Sequence, residues 1–501
     1  MQYGFVIDHR KCIGCHACTV ACKSENDVPV GDFRTWVKYT EIGTFPSVRR
    51  HFAVLRCNHC TNAPCVTICP VNALEKRDDG IVDLNRDACI GCKSCLQACP
   101  YDALYLNEDT GSAEKCHFCA HRVEQNLEPA CVTVCPERAI IPGDLHDKDS
   151  EVSRLAALEG AAVRRPEQNT GPNVHYLGVD PVSLNPGRAA EPETYLWSER
   201  REPPPDWPDD HDVYPHARTV LDVHHTVHWG WKISTYLVTK GIGGGAAMIA
   251  PFAALLGMTG AAAAYLPELL ALVFTTITTV LLVADLKRPA MFLTLLTRPN
   301  TKSWLVKGAW VLIGFSGLTS AIILARFLGM DAVADALRWP NALLGAGAAG
   351  YTAFLLQQCE GRDLWQSRTL LPHLLAQAVM LGAIVLLIAA PTAALAALAT
   401  FAALWHMGFS LSEQRREHHT DNARQAASLL ARVPVWRGSR MMAFNQGLQL
   451  STAAPLIALT LVYLSTPALP GALALCAVAA CVGVFFYEQA FVRAGQLPPL
   501  S

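Results

Sequence analysis

The chain has 501 residues, a formal net charge of −2 and 51% hydrophobic residues. The near-neutral charge gives no indication of nucleic-acid binding, and the length allows two to four domains. Sixteen of the nineteen cysteines precede residue 136, whereas the apolar residues are concentrated after about residue 232. The sequence therefore divides into a cysteine-rich first part and an apolar second part.

The cysteines of the first part form four quartets. They are Cys12, Cys15, Cys18 and Cys22; Cys57, Cys60, Cys65 and Cys69; Cys89, Cys92, Cys95 and Cys99; and Cys116, Cys119, Cys131 and Cys135. Quartets one and three have the spacing C-x2-C-x2-C-x3-C, which is typical of [4Fe–4S] ligation and in which the fourth cysteine reaches the partner cluster. Proline follows the last cysteine of every quartet except the first, where Lys23 follows. Sixteen thiolates predict four [4Fe–4S] clusters.

Zinc sites and disulfide frameworks are the alternatives for such a stretch. Zinc ribbons use paired C-x2-C units without the third and fourth cysteines seen here. Disulfide frameworks are typical of small secreted domains. Iron–sulfur ligation is therefore favoured. The three remaining cysteines, Cys359, Cys476 and Cys481, lie in apolar or juxtamembrane sequence and are predicted to pack as small hydrophobic residues.

Short strand patterns recur around the quartets. Residues 5–8, before quartet one, and residues 80–83, before quartet three, are each predicted as a strand that leads into a cluster loop. Residues 73–74 and 103–104, each just after a Cys-Pro pair, are predicted as the paired return strands. Residues 1–140 are therefore predicted as an α+β domain of two duplicated ferredoxin-like units.

Residues 141–231 have a different composition, rich in proline and acidic residues. Such a segment is not expected to build a core of its own. We predict an extended linker that lies over the other domains and is anchored by its aromatic residues Tyr195, Trp197, Trp207 and Tyr214.

Residues 232–501 contain apolar stretches near the roughly 20 residues that a bilayer requires. They predict eight spans, at 232–257, 264–285, 303–327, 341–358, 369–390, 391–411, 447–466 and 469–491. Small residues at 243–245 and 345–348 are expected to allow close helix approach, and the short connection at 389–392 predicts a tight hairpin. Stretches of this length disfavour the alternative, a soluble helical bundle. The predicted fold is thus a ferredoxin-like α+β domain fused to an all-α bundle of eight transmembrane helices.

The basic residues of the connectors predict the orientation. With eight spans, the connectors 286–302, 359–368 and 412–446 all lie on one side of the membrane. Their basic residues are Lys287, Arg288, Arg298, Lys302, Arg362, Arg368, Arg415, Arg416, Arg424, Arg432, Arg437 and Arg440. The opposite connectors carry only Arg326 and Arg338. The positive-inside rule places the side with more basic residues in the cytoplasm, and the cluster domain is attached on that same side. The alternative is that these bases dock the cluster domain.

At this point the sequence resembles known families. Residues 1–140 resemble the four-cluster electron-transfer subunit of complex iron–sulfur molybdoenzymes, such as dimethyl sulfoxide, polysulfide, thiosulfate and tetrathionate reductases. Residues 232–501 resemble the polysulfide reductase membrane subunit, or NrfD-like, family. The matching membrane segments are KGIGGG at 240–245, DLKRP at 285–289, GYTAFLL at 350–356, and YE and RAGQ within 487–496. In most such relatives the two parts are separate polypeptides, whereas here they are fused.

The resemblance implies how the quartets share clusters, because in that family quartets one and four share two clusters and quartets two and three share the others. The implied ligand sets are Cys12, Cys15, Cys18 and Cys135; Cys22, Cys116, Cys119 and Cys131; Cys57, Cys60, Cys65 and Cys99; and Cys69, Cys89, Cys92 and Cys95. Some relatives replace one cysteine and carry a [3Fe–4S] cluster, but no such replacement is present here.

Four clusters in a row form an electron-transfer chain, which needs a redox partner at each end. The chain shows no molybdopterin domain, and its one C-x-x-C-H run, from Cys12 to His16, is part of the first cysteine quartet, so the catalytic centre is expected on a separate molybdopterin-containing subunit. The membrane end is expected to meet a quinone, menaquinone or ubiquinone, in the inner membrane. The alternative is a proton-translocating quinone module within a cytochrome-linked respiratory complex. The substrate of the catalytic partner, such as sulfite, polysulfide, thiosulfate or formate, is not encoded.

Polar residues within or beside spans are candidates for quinone contact. Those nearest the cluster side are His228, Tyr236, Lys240, Asp285, Tyr351, His373 and His406. Tyr351 lies in the segment that lines the quinone pocket in the family, and Tyr236 lies five residues before the glycine run. The alternatives are a packing or interfacial role for Tyr351 and snorkelling for Lys240. His224, His225 and His228 precede the first span, and a haem or metal site is the minor alternative there.

The orientation is open to a direct test. If the positive-inside rule holds, a protease added to right-side-out vesicles leaves residues 1–231 intact, because the cluster domain is shielded in the interior. The measurement is an immunoblot of that domain, with inside-out vesicles as the control in which digestion is expected. Digestion from the outside would reverse the orientation and move the partner enzyme to the periplasm.

Overall fold

The computed structural model describes most of the chain. The described residues are 1–185, 187–190, 194–195, 198–199, 216–224, 226–436, 439–464 and 469–501, with 194–195 and 198–199 described as backbone. The predicted anchors Trp197, Trp207 and Tyr214, and the side chain of Tyr195, lie outside these residues.

Twelve strands are found among the described residues, and all precede the apolar part. They are β1 (Tyr3–Asp8), β2 (Thr35–Ile42), β3 (Arg49–Arg56), β4 (Leu74–Lys76), β5 (Val82–Leu84), β6 (Leu104–Asn107), β7 (Ser112–Lys115), β8 (Ile140–Asp144), β9 (Val174–Leu177), β10 (Thr194–Tyr195), β11 (Ser198–Glu199) and β12 (Ala217–Leu221). Two sheets have three strands, in the orders β8-β1-β9 and β12-β2-β3, and the rest form two-stranded ribbons.

Strand β1 is the centre of the first sheet. Its residues Phe5, Val6 and Ile7 are fully buried, which suits the aromatic and β-branched side chains that favour strands. It pairs antiparallel with β8, which follows quartet four, and parallel with β9. The prediction of a strand before quartet one is therefore confirmed. The sheet joins the segment that precedes quartet one to the segment that follows quartet four.

The return strands are present, but their partners differ from the simple duplication. Strand β4, after quartet two, pairs with β5, before quartet three, and β6 pairs with β7. The sequence pattern could not distinguish these partners, because a three-residue strand carries no register information beyond its alternation.

The segment predicted as a linker contributes to the first domain. Residues 141–185 supply most of β8, two short helices and strand β9, with Val152, Val174 and Tyr176 buried. Further along, β12 adds an edge to β2. The described parts of 141–231 are thus less extended than the composition indicated. The reason is that a sheet already begun by β1 and β2 lets short apolar runs add to an existing core instead of building their own.

The first part also contains seven short helices, which follow or connect the cysteine loops. They are α1 (Ala17–Asn26), α2 (Pro64–Ile68), α3 (Ser94–Ala98), α4 (Ala120–Val123), α5 (Ala130–Thr133), α6 (Glu151–Ala156) and α7 (Pro181–Leu184). The apolar part is helical throughout the residues that the structure describes. Its helices are α8 (Trp231–Ile249), α9 (Gly260–Asp285), α10 (Thr294–Thr297), α11 (Trp304–Phe327), α12 (Asp331–Gln357), α13 (Leu370–Leu386), α14 (Ala393–Arg415), α15 (Asp421–Leu430), α16 (Ala443–Leu464) and α17 (Leu469–Gln496).

Each predicted span coincides with one long helix. Five of them, α9, α11, α14, α16 and α17, are long and apolar enough to cross a membrane. The other three, α8, α12 and α13, are shorter or carry more glycine and polar residues. Helix α8 packs against α9, α12, α13 and α17, and most of its residues are buried. Its composition therefore fits a place inside the bundle, where side chains face other helices rather than lipid.

The predicted glycine contacts are present. A Cβ added to Gly245 would lie 1.8 Å from the carbonyl oxygen of Ala378, and one added to Gly244 would lie 2.6 Å from that of Gly345. Neither position tolerates a side chain without moving a helix. The predicted hairpin is also found, where Thr392 caps α14 by accepting a hydrogen bond from the Leu395 N–H at 3.2 Å.

The two domains meet at the connector between α9 and α11. Lys93, in quartet three, forms an ion pair of 2.8 Å with Asp285 at the end of α9, and both side chains are largely buried. Asn300 donates a hydrogen bond of 2.7 Å to the carbonyl of Cys69. The Arg288 guanidinium donates at 3.1 Å to the carbonyl of Cys89. The family-like segment 285–289 is therefore a contact surface for the cluster domain.

These contacts bear on the orientation argument. Lys287 pairs with Glu108 of the first domain, Arg288 reaches the backbone of the cysteine loops, and Arg362 donates to Gln97 at 3.0 Å. Part of the basic excess thus docks the cluster domain, which is the alternative raised from the sequence. The cytoplasmic orientation stays a prediction.

The Lys93–Asp285 pair predicts a measurable coupling between the domains. Asp285→Ala leaves a largely buried ammonium without its partner, and the cost is about 3 kcal/mol. We expect a clear fall in the melting temperature of the purified protein in detergent. The control is Glu108→Ala, which breaks the more exposed pair with Lys287 and costs less than about 1 kcal/mol. Equal losses in the two variants would contradict the assignment of the buried pair as the main ionic contact.

Candidate functional site

The sixteen cysteines of the first part converge in four groups, each drawn from two quartets. The first group is Cys12, Cys15, Cys18 and Cys135, which line one cavity. The second is Cys22, Cys116, Cys119 and Cys131, whose thiols lie within electrostatic reach of one another. The third is Cys57, Cys60, Cys65 and Cys99, which line a second cavity. The fourth is Cys69, Cys89, Cys92 and Cys95. The membership of these groups is the one that the family resemblance implies.

The loops of quartets one and three have the same backbone. Gly14 and Gly91 both have positive φ, at 70° and 66°, and the residues two further on, His16 and Lys93, have φ of 61° and 65°. A side chain at Gly14 would also meet the ring of Phe52 at 2.6 Å. Left-handed backbone and close approach both favour glycine. The internal duplication predicted from the cysteine spacing is thus visible in the fold of the loops.

The surroundings of the groups suit iron–sulfur clusters. Burial raises the pKa of the Cys60 and Cys92 thiols to about 12, so their thiolates need a bound cation. Backbone and side chains also donate to the sulfurs, as the Ala139 N–H does to the Cys135 Sγ at 3.2 Å. Among the described residues no three His, Cys, Asp or Glu side chains converge on a single metal ion. Cubane ligation instead takes four cysteines around a larger body.

The four groups form a row. Cys18 of the first group is an electrostatic neighbour of Cys131 of the second. Cys57 of the third is a neighbour of Cys116 of the second. The third and fourth groups meet through Cys65 and Cys95.

The two ends of the row have different surroundings. In the first group Cys15 is exposed. The fourth group lies against the membrane domain, where Asn300 and Arg288 bind the carbonyls of Cys69 and Cys89.

Three of the predicted membrane residues come together inside the helical bundle. Tyr236 and Lys240 lie on α8, and Tyr351 lies on α12. The Lys240 Nζ is 5.1 Å from the centre of the Tyr351 ring and 5.7 Å from that of Tyr236. All three side chains are buried, and the Lys240 Nζ has no hydrogen-bond partner. The ring of Tyr351 packs on Gly308 of α11, where a Cβ would lie 2.4 Å from it. We call Tyr236, Lys240 and Tyr351 the α8–α12 site.

Two further predicted residues form a separate pair. His373 of α13 and His406 of α14 are joined by a hydrogen bond of 2.7 Å between the His373 Nε2 and the His406 Nδ1. The other nitrogen of His406 is 3.1 Å from the Ser451 hydroxyl. Gln377 lies 3.4 Å from both rings. The donor in the short bond depends on which tautomer each ring adopts.

Polar groups connect this pair to the α8–α12 site. Glu488 of α17 lies beside Gln377 and within electrostatic reach of Lys240. A buried polar line therefore runs through Lys240, Glu488, Gln377, His373 and His406. We call it the polar line. Such groups are rare inside membrane bundles and mark functional paths when they occur.

The last two predicted residues lie at the domain junction. Asp285 is paired with Lys93, and the His228 N–H donates to the Gln496 side chain at 3.2 Å. Burial lowers the pKa of His228 to about 4, so the ring is neutral at pH 7. His225 lies outside the described residues. Asp285 and His228 therefore lie at the junction of the domains, where Gln97 of the first domain also donates to Gln496, and Asp285 is in addition an electrostatic neighbour of Tyr236.

Sequence reasoning missed several buried polar and charged residues. Glu488 and Gln377 complete the polar line, and the Arg338 Nε donates to Glu268 at 2.6 Å, with both side chains buried between α9 and α12. A search for every ionisable residue inside an apolar stretch finds Glu488 and Glu268. Arg338 was counted with a connector, because α12 begins ten residues before the predicted span.

Comparison with known proteins gives two family matches. Residues 48–145 match the 4Fe-4S dicluster domain family, and residues 219–497, more than half of the chain, match the polysulphide reductase family NrfD.

Several characterised proteins are similar to part of the chain. A tetrathionate reductase subunit of Salmonella typhimurium is 44% identical, over 40% of this chain and 80% of its own length. A polysulfide reductase subunit of Wolinella succinogenes is 39% identical, over 34% and 90%. A sulfite dehydrogenase subunit of Allochromatium vinosum is 37% identical, over 40% and 96%.

The grouping predicts the metal content. Four groups of four cysteines require about sixteen iron atoms per chain, all bound as [4Fe–4S] clusters. Iron and acid-labile sulfide in the purified complex measure this directly. Cys131→Ser is expected to lower the iron content, whereas Cys359→Ser, outside the four groups, is expected to leave it unchanged. A content of about eight iron atoms, or zinc in place of iron, would refute four clusters.

Proposed function

Because this protein belongs to the NrfD family of polysulphide reductases and carries a 4Fe-4S domain fused to it, we propose that it is the electron-transfer and quinone-reactive subunit of a membrane oxidoreductase. It passes electrons along four [4Fe–4S] clusters between a catalytic subunit on another chain and the quinone pool. The observation that carries this proposal is the row of cysteine groups, whose fourth member lies against the membrane domain.

The row supports electron transfer through the first domain, between the first cysteine group and the fourth. Iron–sulfur clusters supply one-electron redox chemistry. The protein's contribution is to hold the groups as immediate neighbours in a dry interior. One continuous buried core includes cysteines of the third and fourth groups together with Tyr236 and Leu237 of α8. This core supports an electron path that ends beside the α8–α12 site.

The α8–α12 site supports binding of a quinone, menaquinone or ubiquinone. A quinone head group is a flat ring with two carbonyl acceptors, and Lys240 is a buried donor whose Nζ has no partner. The hydroxyls of Tyr236 and Tyr351 are further donors on rings that pack in apolar surroundings. A buried polar group without a hydrogen-bond partner is costly. A ligand that accepts from Lys240 relieves that cost.

Quinone reduction or oxidation also moves protons, and the polar line supports this step. Glu488 lies within reach of Lys240, and Gln377 links Glu488 to the His373–His406 pair. Carboxylate, amide and imidazole side chains in this order can hold or pass a proton without a charged group facing lipid.

The exposed end of the row supports a catalytic partner, since Cys15 leaves the first group open to another protein. The relatives named above are subunits of tetrathionate, polysulfide and sulfite oxidoreductases. We propose a molybdopterin-containing partner of this kind, acting on a sulfur compound or formate. We place the complex in the inner membrane with all eight long helices spanning it, and the cluster domain on the cytoplasmic face.

Tyr351→Phe tests the quinone site. The change keeps the ring on Gly308 and removes one donor, at a cost of about 1–3 kcal/mol if a quinone carbonyl loses its bond. We expect quinone-linked turnover to fall by roughly tenfold or more. Activity of the partner enzyme with an artificial dye, which takes electrons before the membrane, should stay normal.

Tyr463→Phe provides the matched control, because Tyr463 on α16 is largely exposed on the bundle surface. It should leave both activities unchanged. If Tyr351→Phe also leaves both unchanged, Tyr351 is a packing residue, and Tyr236, Lys240 and His373 become the residues to vary next. A loss of both activities indicates damaged assembly.

A further inference from the structure

One arginine lies buried among the cysteine groups without a carboxylate partner. Arg56 is the last residue of β3 and is fully buried. Its Nη1 donates to the Cys131 Sγ at 3.2 Å, and its guanidinium lies 4.6 Å from the centre of the Phe5 ring. Its Nε and Nη2 have no hydrogen-bond partner. Within the part of the chain that the structure describes, no carboxylate forms an ion pair with it.

The location of Arg56 is specific. Its electrostatic neighbours are Cys131 and Cys116 of the second group and Cys18 of the first. It therefore lies at the junction of these two groups. Arginine is charged at any ordinary pH, so a permanent positive charge occupies this junction.

Burial of such a charge costs free energy unless a negatively charged group lies near it. Moving a guanidinium out of water costs several kcal/mol, and a single cation–π contact returns only part of that. A cubane held by four thiolates is a net anion, and each reduction adds one negative charge to it. The first two groups are therefore the compensating charges.

We propose that Arg56 sets the reduction potentials of the first two clusters by stabilising their reduced forms and by weakening the repulsion between them. The inference rests on the proposed function, in that the groups must hold clusters. Each reduction adds one electron to one cluster, and no bond forms or breaks. A positive charge beside both clusters favours the added electron, so it raises both potentials. Arg56 also precedes Cys57 of the third group in the chain, but the thiols that interact most strongly with its guanidinium belong to the first two groups, so the third and fourth clusters are affected less.

The test is a redox titration of the purified complex, followed by electron paramagnetic resonance. Arg56→Gln removes the charge and keeps a polar side chain. We expect two of the four midpoint potentials to fall by at least 59 mV, which is a tenfold change in a one-electron equilibrium. The other two midpoints should move less than these two. Arg56→Lys keeps the charge and should restore most of the shift.

Arg50→Gln is the matched control. Arg50 lies on the same strand, but its side chain is partly exposed and pairs with Glu41. This substitution should leave all four midpoints in place. Unchanged midpoints in Arg56→Gln, with all clusters assembled, would overturn the proposal.

Cluster assembly gives the second readout. If Arg56→Gln loses iron and Arg56→Lys retains it, the charge is required and the proposal stands. If both variants lose iron equally, the role of Arg56 is steric and the electrostatic proposal is overturned. Failure of the proposed function would look different, because the wild-type protein itself would then lack four reducible clusters.

Discussion

The structure of the first domain depends on one constraint, that each group of four thiols takes one member from a different quartet than the other three. Cys135 closes the first group and Cys99 closes the third. The chain must therefore return to its beginning after residue 131, and the pairing of β1 with β8 is the same return made by the backbone. The sheet and the groups support each other. Strands of three to six residues would be marginal alone, and the thiols would not converge without the strands.

The membrane domain is subject to a different constraint. Its interior must admit polar groups, although unpaired polar groups in a bundle are costly. Close approach of α8 and α13 at Gly245 and Gly382 excludes lipid from the bundle centre. That centre then holds Lys240 and Glu488, while apolar side chains cover the outside. The small residues and the buried charges are thus parts of one arrangement, since helices with larger side chains at these positions would be held apart.

The sequence predicted the features that follow from local chemistry. Cysteine spacing predicted the quartets, and the lengths of apolar stretches predicted eight long helices at nearly the observed positions. It could not predict what depends on three-dimensional partners. Composition placed residues 141–185 in a linker, because the strands that Val174 and Tyr176 join lie far away in the chain. It placed His373 and His406 among the quinone residues, and nothing in a single sequence shows that they bind each other.

The same limit applies to charge. Counting bases on connectors treats each as a solvated cation, yet Lys287 and Arg288 have protein partners in the first domain. Glu488 shows the reverse error. In the sequence it is one acidic residue near the end of an apolar stretch, whereas in the fold it joins Lys240 to Gln377. The function of a charged residue in this protein depends on its partner, which only the fold supplies.

Electrons and protons place different demands on a protein, and in the proposed function helix α8 meets both. Electron transfer favours a closely packed interior, and the core that surrounds the third and fourth groups continues without a break to Tyr236. Proton movement requires polar groups within reach of one another, and the polar line begins at Lys240, one turn further along the same helix. A rigid helix fixes the distance between the two. A molecule bound between Lys240 and Tyr351 would therefore contact both the end of the buried core and the start of the polar line. Such contact is the physical requirement for coupling a two-electron carrier to a chain of one-electron carriers.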